Sequence, residues 1–255
     1  MFRQFFHKLC TFKDYVKKFF IPEIYWLSLG ENCLSDDILK RHGLKSFNTI
    51  YSSARSNVDY AIYLEKRSFQ GFLDRNNLEY DYLGNLRVTR STLCMECGKL
   101  YLNCHSKGFE TSHHDLINNE AHRQSFQRKI QRMLDLRNNK KTVFFYHHRV
   151  NDRTNLEALF IKLETFSTFY SRKPEKCQIM LFVQSKIINP EERKVIYRKV
   201  NSNIHLFEFK TINIWEGSDP EIFWARCDDD LIKKMLETSV RIIKRKECVP
   251  DGIIY

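Results

Sequence analysis

The chain has 255 residues, of which 42% are hydrophobic and 14% aromatic, with 20 Phe and 12 Tyr, enough apolar surface to exclude wholesale disorder. Eight Gly and five Pro exclude collagen-like and linker-rich chains and argue against a turn-rich all-β fold. Forty-two Lys and Arg against 31 Asp and Glu leave a net charge of +11, which favours polyanionic partners; a solvated basic surface explains the same balance, because the basic residues are spread along the whole chain.

Residues 2–20 place Phe2, Phe5, Phe6, Leu9, Phe12, Val16, Phe19 and Phe20 at helical spacing, with Lys8, Lys13, Lys17 and Lys18 on the other face. The pattern predicts a basic amphipathic helix that either packs on the rest of the chain or lies in an anionic membrane interface, and Pro22 stops it. Residues 1–21 are therefore read as an appendage and 22–255 as one α/β domain. An apolar run over 24–29, closed by Gly30, reads as a buried strand. Ser35 reads as the cap of a helix over 36–42, with Asp36 and Asp37 in its first turn, Lys40 and Arg41 in its last, and Gly43 beyond. Residues 55–74 read as helical, and 78–114 as a mixed or antiparallel insertion with short strand-like runs. A helix over 119–138 turns Phe126, Ile130, Met133 and Leu134 inward and Arg123, Arg128, Lys129 and Arg132 mostly outward. Strands are predicted over 142–146, 177–183 and 204–209, and helices over 154–169, from Pro190 to about 199, and, in two pieces, from Asp219-Pro220 to about 246. Short apolar strands alternating with helices predict a three-layer α/β domain with a mostly parallel sheet.

No run reaches the roughly 18 uninterrupted apolar residues of a membrane span. No secretory signal is visible, so the eight cysteines are read as reduced and the compartment as cytoplasmic, peripheral at the inner face of the membrane where the 2–20 helix binds. In an open parallel sheet, ligands bind beyond the carboxyl ends of the strands. Gly30-Glu31-Asn32-Cys33 follows the first strand, His147-His148-Arg149 and Asn151 the second, Gln184-Ser185 the third, and Lys210-Thr211, Trp215, Gly217 and Asp219 the fourth. Cys33, between a glycine and a helix, suits a nucleophile, while Asp36 and Asp37 would raise its pKa, so a basic partner is required. A buried apolar cysteine is the alternative reading. His113, His114, His147 and His148 are the candidate bases. Cys94-x-x-Cys97 has zinc-ligand spacing, but Cys104 and His105 are adjacent and do not readily bind one ion together. Phosphate-loop, dinucleotide, zincin and serine-esterase signatures are absent, as is any docking motif for nucleic acid, which is therefore not the expected partner.

Ser28-Leu29-Gly30-Glu31-Asn32-Cys33, with Leu39 and Gly43-Leu44 after it, resembles the opening of a bacterial family of unknown function whose members are described as papain-like cysteine peptidases. Asn103-Cys104, His114-Asp115, the basic run 128–132, Arg149 with Asn151, and Trp215-Glu216-Gly217-Ser218-Asp219 with Trp224 follow in the family's order, over about 24–226. Phe47-Asn48-Thr49 departs from the family's Phe-Asp-Trp. The resemblance implies a Cys/His enzyme with Cys33 as nucleophile and His114 as base, and Asp219 as the acidic catalytic candidate. The first motif also resembles polysaccharide-assembly enzymes that bind coenzyme A, which implies a coenzyme A thioester as acyl donor. Gly30, Asn32, Arg149 and Asn151 would then bind an acyl substrate or anionic glycan. The competing expectation is a non-catalytic module binding an anionic polymer at a membrane surface.

Overall fold

The computed structural model describes residues 24–94 and 108–254; the predicted helix 2–20, Cys97, Cys104 and His105 lie outside these. The described strands are β1 (Ile24–Ser28), β2 (Leu78–Leu83), β3 (Leu86–Ser91), β4 (Glu110–Thr111), β5 (Lys141–His148), β6 (Cys177–Lys186), β7 (Lys194–Lys199), β8 (Ile204–Thr211) and β9 (Gly252–Ile253). The helices are α1 (Leu34–Arg41), α2 (Val58–Lys66), α3 (Glu120–Leu136), α4 (Leu156–Thr168), α5 (Pro220–Phe223) and α6 (Asp229–Val240). The main sheet has the order β1-β5-β6-β8-β7-β9, its first four strands parallel and β7 and β9 antiparallel. A second sheet, β2-β3-β4, is antiparallel and stands within 78–114.

Alternation along the parallel strands divides the core in two, as a sheet buried on both faces requires. Leu27, Phe144, Tyr146, Ile179 and Leu181 pack under α2, α3 and α4. Trp26, Val143, Phe145, Met180 and Phe182 pack under α1 and α6. The fold is thus the three-layer α/β arrangement with a mostly parallel sheet.

Four local expectations are corrected. After Pro190 the chain makes one 3-10 turn and then β7, not a helix to 199. Lys-Val-Ile-Tyr-Arg-Lys alternates, burying Val195 and Tyr197 against neighbouring β8, so a period of two wins. The helix predicted over 55–74 is regular only over α2, because Ser68 and Phe69 adopt left-handed φ values of 48° and 62°. Lys129 is 3% exposed, not outward: three residues after Phe126, its ammonium lies 4.1 Å from the centre of that ring. Cys94 is disulfide-bonded, not reduced, and a sulfur in that state is no zinc ligand.

Candidate active site

The site begins with a glycine that no other residue can replace without movement. A Cβ at Gly30 would stand 2.9 Å from both the Asn32 and the Tyr51 carbonyl oxygens, so the chain leaving β1 passes in backbone contact with the 50–53 turn. That close passage sets Cys33 at the N-cap of α1. Asn32 Oδ1 accepts from Leu34 N at 3.0 Å, so Asn32 caps the helix start. Ser35, the expected cap, instead accepts from His147 N at 3.2 Å and ties α1 to β5. Thr49 closes the other side: it caps the 50–53 turn and donates to Ser28 O.

Cys33 is half-buried and faces a recess of about 30 Å³ shared with Ser53, Arg55, Glu110 and Ser112. Burial pushes its thiol up to about 11, Asp36 adds to the rise, and Lys45 and Arg55 oppose it. Asp36 accepts from Lys45 Nζ at 2.5 Å and from Ser28 Oγ at 3.1 Å, so its charge is largely compensated. Lys45 and Arg55 are the cations that oppose the rise, and they do not reverse it. Nothing in the sequence marks either, because they come from a post-helix loop and a turn whose approach to Cys33 only the fold creates. Glu110, 3% exposed, accepts from Arg90 at 2.9 Å and faces Arg55 Nη1 at 3.5 Å, which fixes the wall of the recess.

His114 follows β4 on the same side. Thr111 Oγ1 donates its hydrogen to Ser53 O at 2.9 Å and lies 3.4 Å from His114 Nδ1. With the hydroxyl proton on Ser53 O, the ring meets Thr111 Oγ1 only as a donor, the tautomer that carries hydrogen on Nδ1 and leaves the lone pair on Nε2. Burial holds the imidazole down to about 4, helped by the Lys129 ammonium and by His122 and His113. At neutral pH the Cys33 thiol and the His114 imidazole are both uncharged, not a thiolate and an imidazolium. Among the described residues Cys33 Sγ makes no hydrogen bond; Ser112 lines its recess and Thr111 contacts His114, so one strand end serves both groups.

The other expected site residues have structural surroundings. His147, 1% exposed, stacks on Phe182 with ring centres 5.0 Å apart and lies 5.6 Å from Trp215. His148 faces Thr154 Oγ1 at 3.3 Å. Arg149 donates its backbone N–H to the buried Glu31 carboxylate at 2.7 Å and holds its guanidinium Nε 3.9 Å from the same oxygen. Asn151 Oδ1 accepts from Arg153 N within its own turn. Asp219 caps α5 by accepting from Glu221 N. It lies in the segment after β8, which returns to α1, where Arg41 Nη1 donates to Trp224 O at 2.8 Å. Trp215 plugs the α6 face of the sheet and donates Nε1–H to Asp228 at 2.8 Å.

Among the described residues no group of three or more His, Cys, Asp or Glu could hold a metal ion, and no helix is long and apolar enough to cross a membrane. No curated protein and no solved structure matches the chain. The profile of one family, DUF1796, described as "Putative papain-like cysteine peptidase", matches residues 24–186. The match takes in Cys33, Lys45, Arg55, Glu110 and His114 and ends before Trp215 and Asp219. Because it covers more than half of the length and the whole neighbourhood of the half-buried sulfur, the chain belongs to this family, DUF1796.

Proposed function

We propose that the chain is a thiol-dependent acyl-transfer enzyme acting through Cys33. Its sulfur attacks an acyl carbonyl, and the S–H proton passes to His114 Nε2 as the C–S bond forms. The imidazolium returns that proton to the leaving group as its bond to the acyl carbon breaks. Water or a sugar hydroxyl then attacks the thioester, His114 takes its proton, and the sulfur leaves and recovers it. Backbone N–H groups around Asn32 and Cys33, with the Asn32 amide, hold the oxyanion. The observation that supports this reading is the half-buried sulfur beyond the carboxyl end of β1, in a recess shared with Arg55 and with Ser112, two residues before His114. Catalytic hydrogen bonds are often loose before substrate binds, and the Cys33–His114 contact would form with substrate in place.

A coenzyme A thioester suits the donor side, and the net charge of +11 suits an anionic glycan as acceptor. Arg149 and Asn151 would meet the acceptor at the neighbouring strand end, and residues 2–20 would hold the enzyme at an anionic membrane face. Asp219 stays the acidic candidate, as an anchor for α5 that shapes the rim of the sheet mouth.

The test is acylation of the full chain by p-nitrophenyl acetate and by acetyl-coenzyme A, read by peptide mass spectrometry. Acetyl should appear on Cys33, vanish in Cys33→Ala, and form roughly 100-fold more slowly in His114→Asn. The rate should fall as the pH drops through about 4, where His114 becomes protonated and loses its free Nε2 lone pair. Acetylation of Cys33 no faster than of the other thiols would leave the non-catalytic binding module as the better account, and unchanged ester turnover in Cys33→Ala would remove Cys33 as the nucleophile.

A further inference from the structure

A second cavity lies at the opposite, amino-terminal edge of the main sheet. It is a cleft of about 710 Å³ between the starts of β5, β6 and β8 and the turn that ends α6. That volume is within the range of small-molecule sites, about 300–1,000 Å³. Lys140, Lys141, Lys176, Lys199 and Lys246 line it, against two carboxylates, Glu175 and Glu247. Glu247 is already engaged by Arg241 Nε at 2.6 Å. Lys141 donates to Ile243 O at 2.9 Å, which secures the turn. Burial and the Lys246 ammonium hold Lys141 below the usual lysine range, a sign of cations crowding one another. Lys176, Lys199 and Lys246 are exposed and form no salt bridge among the described residues.

The floor and wall are built as well as charged. His205, 2% exposed, accepts or donates to Gln178 at 2.7 Å and to Tyr197 at 2.9 Å, so the floor is polar and fixed. Ile242 gives an apolar side, with the buried Ile243 behind it. They belong to a π-turn over Arg241–Arg245, followed by Lys246 in the left-handed region at φ 56°. Single π-turns and left-handed non-glycine residues both gather at functional sites, because the distortion persists only where the surroundings hold it.

We propose that this cleft binds an organic polyphosphate, its phosphates among Lys176, Lys199 and Lys246 and its organic body against Ile242. Multiply charged phosphate matches several compact ammonium groups on flexible stems, whereas a single carboxylate would engage only one or two. The site is separate from Cys33 and does not depend on the acyl-transfer reading.

Cys248 lines the cleft with a free, exposed thiol, and Cys227 is a free, exposed thiol outside it, so alkylation reports the site directly. The full chain is treated with N-ethylmaleimide with and without ATP as probe, and modification at each cysteine is followed by mass spectrometry. ATP should slow Cys248 and leave Cys227 unchanged, and adenosine should slow neither. The triple variant Lys176→Ala, Lys199→Ala, Lys246→Ala should weaken ATP protection roughly tenfold or more, as expected for three partly exposed charge contacts. A matched triple at the exposed Lys66, Lys186 and Lys234, outside the cleft, should leave it unchanged. Absence of protection at Cys248, equal protection at Cys227, or equal loss in both triples overturns the proposal.

Discussion

Arg137→Met is expected to lower the unfolding free energy by about 3 kcal/mol at neutral pH, the low end of the ~3–5 kcal/mol found for breaking a buried ion pair, since the Arg137 side chain keeps 20% exposure. Glu65, on α2, is enclosed between α3 and α4 and is 1% exposed. Its Oε2 accepts from Arg137 Nη2 at 2.5 Å, its Oε1 accepts from Tyr170 at 2.7 Å, and Arg137 Nη2 also donates to Glu65 O at 2.9 Å. Burial already raises the Glu65 carboxyl, and Arg137 is the largest influence holding it down. Removing the guanidinium leaves a carboxylate in hydrocarbon with one phenol for company, so its pKa climbs further. A folded pKa above the unfolded value means that the folded state holds more protons in that window. Stability must therefore fall as pH rises through the folded pKa and return as pH drops below it. Urea unfolding at pH 7.5 and pH 5 should show the variant recovering part of its loss on acidification. Glu65→Gln combined with Arg137→Met should be more stable at pH 7.5 than Arg137→Met alone. A loss independent of pH would mean that guanidinium packing on Phe169, whose ring centre is 6.0 Å away, matters more than charge.

The strands of the parallel sheet were readable because burial on both faces makes each a continuous apolar run, and the loops after them could then be placed at one edge. That placed Cys33 and Arg149 on neighbouring strand ends before any contact was known. What the sequence hid are contacts made by distance along the chain. Lys45 and Arg55 act on a sulfur 12 and 22 positions away only because Gly30 lets the chain pass Tyr51. Glu31 looked like one more polar residue in a motif, yet it is wholly buried and holds Arg149, 118 positions away. Lys129 read as solvated because a helical wheel treats any lysine as outward, while the Phe126 ring offers its ammonium an inward seat. The 190–199 segment failed for a different reason. Pro190 is a sound start signal, but it opens one turn only, and the alternation of Val195 and Tyr197 carries the following residues into the sheet.

Gly30→Ala should be the substitution that separates the sheet mouth from the rest of the fold. Its Cβ would meet the Asn32 and Tyr51 carbonyl oxygens at 2.9 Å, and both are backbone atoms, so relief requires moving either the Cys33 turn or the 50–53 turn. Overpacking of this kind costs about 1–3 kcal/mol. The displacement falls on the two segments that carry Cys33 and the Ser53–Arg55 wall of its recess. A shift of ~1 Å at a reacting group can cost about 100-fold in rate, so Cys33 acetylation should drop by that order even where the protein still folds. Gly43→Ala is the control. Gly43 has φ +68°, and a Cβ added there would meet nothing within 4 Å, so that change meets backbone strain alone. It should cost about 1 kcal/mol and leave the acetylation rate within twofold or so of the parent. Urea midpoints and acetylation rates for the two alanine variants therefore divide cleanly. If Gly30→Ala keeps full reactivity at Cys33, the tight passage beneath Tyr51 does not position the sulfur, and the nucleophile must owe its place to Asn32 and the start of α1 alone.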